Sequence, residues 1–297
     1  MSEAFGDRLA RVRRREAAER LRDKVEGGAR HPEGARPLGG HGGGAADPGA
    51  DPLASGRGEP DLFAGAPARG AHEVVINAPD PVTSLADLTP EQVAGAMEVW
   101  RARTRVHVEG GASCVHVLVN ERLEGGASLP HTHAQIYAMD FVPAQVARER
   151  ERFGAYAART MGGNLLQDLV AEEVRGRVRL VAIDDEAVLL APYASRLPYQ
   201  LLLAPRRPRE RFEDEGPLGA ALLHDALNRL RHVLGGVTPP LNLWVRTAPR
   251  GADRFCWRID IVPRLTHLAG LELGTGVHLN VVAPEHAAAQ LRDAAGA

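Results

Sequence analysis

The 297-residue sequence predicts an α+β fold in which helices cover a mostly antiparallel sheet in each of two halves. Three observations lead there. Short strand-like runs occur at Val178–Ile183, Ala187–Ala191 and Gln200–Ala204. An order of strand, turn, strand and helix occurs in both halves of the region after residue 70, which reads as a weak internal duplication. The composition, 44% hydrophobic and 25% charged, is ordinary for a globular protein.

Taken in order, residues 7–25 (DRLARVRRREAAERLRDKV) read as a charged helix, with Leu9, Val12, Ala17, Leu21 and Val25 roughly on one side. Residues 27–70 are rich in Gly, Pro and Ala and cannot repay ordering entropy with buried apolar area, so a flexible segment is expected. Regular structure starts near His72 with the strand EVVINAP, stopped by Pro79, Asp80 and Pro81. Thr89 then caps a helix that carries Pro90 at its first position and Glu91 and Gln92 in its first turn, and that runs to about Val106.

The β-branched run from Ser113 to Asn120 is the next strand, and Glu121–Pro130 is a turn that leads into HTHAQIYAM. Period-two alternation predicts a strand there, with His131, His133 and Gln135 on one face. Helices are predicted over residues 143–158 and 218–234, the latter stopped by Gly235 and Gly236. LNLWVRTAP, RFCWRIDIVPRL and GTGVHLNVVAP read as further strands, and a closing helix starts near Pro284. The expected organisation is therefore 1–70 (charged helix and flexible segment), 71–183 (first half) and 184–297 (second half).

Composition excludes several classes of function. With 36 basic and 38 acidic side chains the net charge is -2, so nucleic acid is not an expected partner, although Arg11–Arg22 is locally basic. Two cysteines, Cys114 and Cys256, exclude a disulfide scaffold and any four-cysteine metal knuckle. No apolar stretch of about 18 residues is present, so no membrane span is expected and a cytoplasmic location is the default.

The chemistry-bearing run is His131-Thr132-His133-Ala134-Gln135. On spacing alone, two histidines alternating on a strand can be half of a metal site, a nucleophile site or structural residues. As a nucleophile, a neutral imidazole at His133 can attack phosphorus and form a phosphoramidate labile enough to pass its group on. That chemistry needs an acceptor on the other ring nitrogen, which a backbone carbonyl near His131 could supply. Gln135 could donate to a phosphate oxygen, Ser128 and nearby N–H groups could gather a second phosphate, and Asn120 lies within reach at the end of the preceding strand. The Gly125-Gly126 pair permits close approach of backbone to a ligand. Taken singly, Ser128 and Asn120 are ordinary turn or capping residues, and Trp244 and Trp257 are core or subunit-interface residues.

The stretch NERLEGGASLPHTHAQIYAMDFVP, residues 120–143, resembles the active-site segment of galactose-1-phosphate uridylyltransferases, a branch of the histidine-triad superfamily whose segment typically ends in His-Pro-His-x-Gln. The resemblance continues through residues 71–293, and it implies two histidine-triad-like halves. It places His133 at the nucleophile that carries the nucleotidyl group, Gln135 at the residue that bonds the transferred phosphate, and Ser128 and Asn120 at phosphate contacts. Glu272 falls at a position associated with sugar binding, and His278 stands where the galactose enzymes usually carry glutamine.

Two family metal sites are implied to be lost. For the first, the chain has no Cys-x-x-Cys, Pro81 occupies a histidine position, and only His131 survives. For the second, Glu149 matches the glutamate ligand, but Arg246 and Arg258 stand at histidine positions. No bound metal and no cofactor are therefore expected. Arg246 and Arg258 could replace the cation, with Glu149 as their salt-bridge partner. The implied ligands are a nucleotide sugar and a sugar phosphate, and the implied assembly is a homodimer.

Overall fold

The computed structural model of the chain describes residues 69–295. The helix expected over 7–25 and the flexible segment expected over 27–70 lie outside the described residues, apart from the last two of that segment. Residues 73–297 fall in one unit, built on an eight-stranded sheet with the spatial order β1-β3-β2-β7-β8-β6-β5-β4. The strands are β1 (Gly70–Ile76), β2 (Cys114–Glu121), β3 (His133–Met139), β4 (Leu180–Ile183), β5 (Ala187–Leu190), β6 (Leu201–Pro205), β7 (Leu241–Arg246) and β8 (Arg258–Pro263). The pairings of β2 with β3, β2 with β7, β7 with β8, β8 with β6, β6 with β5 and β5 with β4 are all antiparallel. The chain thus has the α+β fold expected, a large antiparallel sheet packed by helices. The β4–β5 hairpin straddles residues 183 and 184.

One face of the sheet is buried under three helices, α1 (Pro90–Glu109), α4 (Ala220–Val233) and α6 (Pro284–Asp293). The first forms as the sequence dictates. Thr89 Oγ1 accepts from Gln92 N at 3.2 Å, Gln92 Oε1 accepts from Thr89 N at 2.9 Å, and Pro90 occupies a position whose N–H has no helical partner to lose. Val93, Met97 and Trp100 follow at helical spacing and are fully buried against Val115, Val117 and Val119 of β2 and Ile136 of β3. Helix α4 adds Leu223, Leu227 and Leu230 to the same core, and Gly235 and Gly236, both at positive φ, end its run.

Among the described residues the opposite face is covered at one end only. Helices α2 (Ala144–Arg159) and α3 (Leu165–Gly176) place Phe153, Leu166 and Val170 over Val188, Leu190, Leu202 and Ala204, the residues of β5 and β6 that alternate with those in the first core. Over β2, β3 and β7 this face keeps a half-buried row that includes His116, Leu118, Asn120, Gln135, Tyr137, Asn242 and Trp244.

Three elements differ from the sequence reading. GTGVHLNVVAP is not a strand: a short helix, α5 (Gly270–Thr275), ends at Gly276 with φ 71, and residues 276–283 are irregular. Its alternating Val277, Leu279 and Val281 are 55%, 66% and 76% exposed. Alternation records which residues want cover, and here no neighbouring strand is present to give it. Helix α3 has no counterpart in the reading. It is capped by Asn164, whose Oδ1 accepts from Gln167 N at 3.2 Å. The strand expected from His131 begins at His133, so His131 sits in the turn before it. Among the described residues no helix is long and apolar enough to cross a membrane.

Candidate active site

The site is assembled at the end of the uncovered sheet face where β2, β3 and β7 meet. The pairs Val119↔Ala134 and Leu118↔Gln135 put Asn120, Gln135 and His133 on one side of the sheet, and Asn120↔Asn242 adds β7 to it.

His133 is 1% exposed, and its Nδ1 lies 2.9 Å from the carbonyl oxygen of His131. A carbonyl can only accept, so Nδ1 carries the proton and a neutral ring keeps its lone pair at Nε2. Gln135 is oriented by its strand neighbour: Tyr137 Oη donates to Gln135 Oε1 at 3.0 Å, so the end that Gln135 presents to an anion is its Nε2 donor.

The turn between β2 and β3 curls beside these residues. Arg122 sits at φ 60, ψ 166, a region that costs an L-residue of order 1–3 kcal/mol, and its carbonyl accepts from Gly125 N at 3.1 Å and Ala127 N at 3.0 Å. At Gly125 a Cβ would stand 2.8 Å from Leu241 O, so only glycine lets the turn lie against β7, and Gly126 takes φ 87. Ser128 is exposed on the same turn.

Asn242, which sequence reasoning missed, ties this turn to the sheet. Its Nδ2 donates to Asn120 Oδ1 at 2.7 Å and to Gly125 O at 2.6 Å, while Arg264 Nη1 donates to its Oδ1 at 3.3 Å. Arg264 Nε is buried with no partner, which sets a cation beside the asparagine pair. Nothing local marks Asn242 in the sequence, because its role follows from a register 122 residues away.

His131 Nε2 is likewise buried without a partner. It stands at the first metal set that the resemblance implies, and among the described residues no group of three His, Cys, Asp or Glu could hold a metal. The two cysteines do not help: Cys114 and Cys256 are both buried, and burial pushes each thiol up to about 11. The residues present therefore do not fit a metal at either family position.

At the second position the structure places an ion-pair cluster. Glu149 of α2 lies between Arg258, which donates to its Oε1, and Arg246, whose Nε is 3.3 Å from its Oε2. Arg258 Nε also donates to Asp260 at 3.0 Å. Burial pulls the Arg258 pKa down, but the Asp260 and Glu149 carboxylates outweigh it and hold the group above its usual range. Arg246 goes the other way, lowered by burial and by Arg258 on the facing strand, with Glu149 opposing. Arg246 is four residues from Asn242 on the same strand face, roughly 13 Å along the sheet, so the cluster stands outside contact with His133.

Glu272 and His278 are not brought to His133 by any hydrogen bond or ion pair among the described residues. Glu272 Oε2 accepts from Ala269 N at 2.9 Å, and this bond leads in holding its carboxyl below the usual range, with His278 nearby contributing less. His278 Nδ1 is buried without a partner.

The family described as galactose-1-phosphate uridyl transferase, N-terminal domain, matches residues 49–143. The chain is 25% identical over 234 residues to ADP-glucose phosphorylase of Arabidopsis thaliana, covering 75% of this chain and 64% of the relative. It is 26% identical over 239 residues to galactose-1-phosphate uridylyltransferase of Thermotoga maritima, covering 76% and 74%. A solved uridylyltransferase superposes with a TM-score of 0.71 at 26% identity over 77% of this chain and 76% of that one. The Arabidopsis ADP-glucose phosphorylase with bound ADP-glucose superposes with a TM-score of 0.67 at 25% identity over 75% and 72%. Against the Arabidopsis, Cryptococcus neoformans and Haemophilus influenzae relatives the match spans 43–64% of their length. In sequence and fold the chain is a divergent galactose-1-phosphate uridylyltransferase-like protein, and its described residues hold no cluster suited to a metal.

Proposed function

We propose that the chain is a nucleotidyltransferase that moves a nucleoside monophosphate, by default UMP, between a nucleotide sugar and a sugar 1-phosphate through a covalent intermediate on His133. The observation that carries this is the 2.9 Å bond from His133 Nδ1 to the His131 carbonyl. It leaves Nε2 as the nucleophile and stabilises the ring as it becomes cationic on attack. In the first step Nε2 forms a bond to the α-phosphorus, the bond from phosphorus to the bridging oxygen breaks, and sugar 1-phosphate leaves with the electron pair. In the second an acceptor phosphate oxygen attacks the same phosphorus, the N–P bond breaks and His133 is returned neutral. Gln135 donates to the transferred phosphate, while Asn120, Ser128 and the Gly126 turn receive the other phosphate.

The Glu149–Arg246–Arg258 cluster takes over the cross-link between α2 and the sheet that a cation would otherwise make. The exposed Leu271, Leu273, Val277, Leu279 and Val281 support a homodimer that covers the segment carrying Glu272 and His278. The similarity to ADP-glucose phosphorylase favours one second reading, in which the base is adenine and inorganic phosphate is the acceptor.

Intact-protein mass after separate incubation with UDP-glucose, UDP-galactose and ADP-glucose tests both readings. A nucleotidyl adduct on the wild type, absent from His133→Ala and discharged by a sugar 1-phosphate, is expected. Discharge by inorganic phosphate alone would favour the phosphorylase. No adduct and no exchange of labelled sugar phosphate with any donor would refute covalent transfer from these donors.

A further inference from the structure

A buried polar chain runs beneath the nucleophile and is not used by the reaction as described. Trp100 Nε1 donates to Asn77 Oδ1 at 3.1 Å, Asn77 Nδ2 donates to Thr132 Oγ1 at 3.0 Å, and Thr132 Oγ1 donates to Glu121 Oε1 at 3.3 Å. Glu121 also accepts from Ser84 Oγ at 2.6 Å and from Leu85 N at 2.5 Å. The side chains of Trp100, Asn77, Thr132, Glu121 and Ser84 are all buried, with Glu121, Ser84 and Thr132 at 1%, 1% and 2% exposure. A carboxyl taken this far from water is costly unless its lone pairs are filled, and here three donors fill them.

Thr132 lies between His131 and His133, where the resembled family has proline. The His131 carbonyl and the Thr132 N–H belong to one planar trans peptide and point in opposite directions. The N–H donates to Val82 O at 2.9 Å, and the carbonyl accepts the His133 ring proton at 2.9 Å. One rigid plane therefore links a fixed backbone anchor to the tautomer of the nucleophile. The Thr132 carbonyl is held too, by Asn77 N at 3.2 Å, and its side chain is clamped between Asn77 and Glu121.

We propose that Thr132, anchored on Glu121, is a positioning residue that fixes the His131 carbonyl and through it the reactive tautomer of His133, in place of the rigid ring that proline supplies. The inference rests on His133 being the nucleophile, and the chain of bonds from Trp100 to Ser84 becomes part of the catalytic apparatus without touching substrate.

The test compares wild type with Thr132→Val, Thr132→Ser and Glu121→Gln in the full-length protein. Two readouts are taken: the His133 tautomer by 15N NMR of the ring nitrogens without substrate, and the single-turnover rate of nucleotidyl adduct formation. Wild type and Thr132→Ser are expected to hold the Nδ1-protonated form. Thr132→Val and Glu121→Gln are expected to show a tautomer mixture and, with a donor that labels wild type, a ten- to hundredfold slower adduct rate with KM moved less than about threefold. If both variants only melt earlier while the tautomer matches wild type, the positioning role is refuted. A tautomer that responds as expected in a protein that labels with no donor would instead refute the transfer reaction and leave the positioning intact.

Discussion

Removing Glu149 should be among the most damaging single changes away from His133. Its carboxylate separates Arg246 and Arg258, which face each other across β7 and β8, and the three side chains are 18%, 10% and 17% exposed. Truncating one member of a buried ion-pair group costs about 3–5 kcal/mol, chiefly because the remaining charge is left without compensation. Asp260 stays on Arg258 at 3.0 Å, so the lower end applies and Glu149→Ala should lose about 3 kcal/mol. For a folded unit of this size that is a fall in Tm of about 6–12 °C.

Urea unfolding followed by far-UV circular dichroism reads this directly. Because the penalty belongs to the orphaned guanidinium and not to the lost pair, the double variant Glu149→Leu with Arg246→Met should recover most of it, to within about 1 kcal/mol of wild type. A Glu149→Ala protein within about 1 kcal/mol of wild type would show that solvent already screens the cluster. A double variant whose loss equals the sum of the single ones would show that the two side chains do not interact.

Two further outcomes follow from other parts of the fold. Burial, helped by the Arg246 guanidinium, pushes His116 down to about 4. The folded state therefore binds its proton more weakly than the unfolded one, and the stability this gives is complete above about pH 6.5 and lost as pH falls toward 4, up to about 3 kcal/mol in all. His116→Gln should flatten the stability curve over that window, and curves parallel to wild type would count against it. Gly125→Ala forces a Cβ to within 2.8 Å of the Leu241 carbonyl and should cost about 1–3 kcal/mol. It should also slow adduct formation, since the turn would lift from Asn242; an unchanged rate would place the turn outside the site.

How far the sequence could be read depended on whether a feature's cause was local. Thr89, Pro90 and Gln92 carry the start of α1 within four residues, and the structure reproduces their capping bonds. The HTHAQ run carried its own chemistry, including the demand for a carbonyl beside His133 that the His131 oxygen meets. Helix α3 escaped notice although Asn164 caps it. Val277, Leu279 and Val281 pointed to a strand because alternation is the same whether a neighbouring strand or another surface gives cover. Asn242 and Arg264 could not be found locally at all, since each acts through a pairing set by the whole sheet.

The seam between β2 and β7 has a consequence for how the molecule opens. Both strands are flanked on each side, so releasing either one breaks two ladders at once and with them the Asn120–Asn242 contact. The strand that carries His133, β3, is flanked by the seam on one side and by the edge strand β1 on the other. Asn120 and Asn242 thus ride on the inner part of the sheet, while His133 and Gln135 stand one strand in from the margin, where breathing is cheaper. A fluctuation that frays the margin can move His133 and Gln135 without disturbing the Asn120–Asn242 pair.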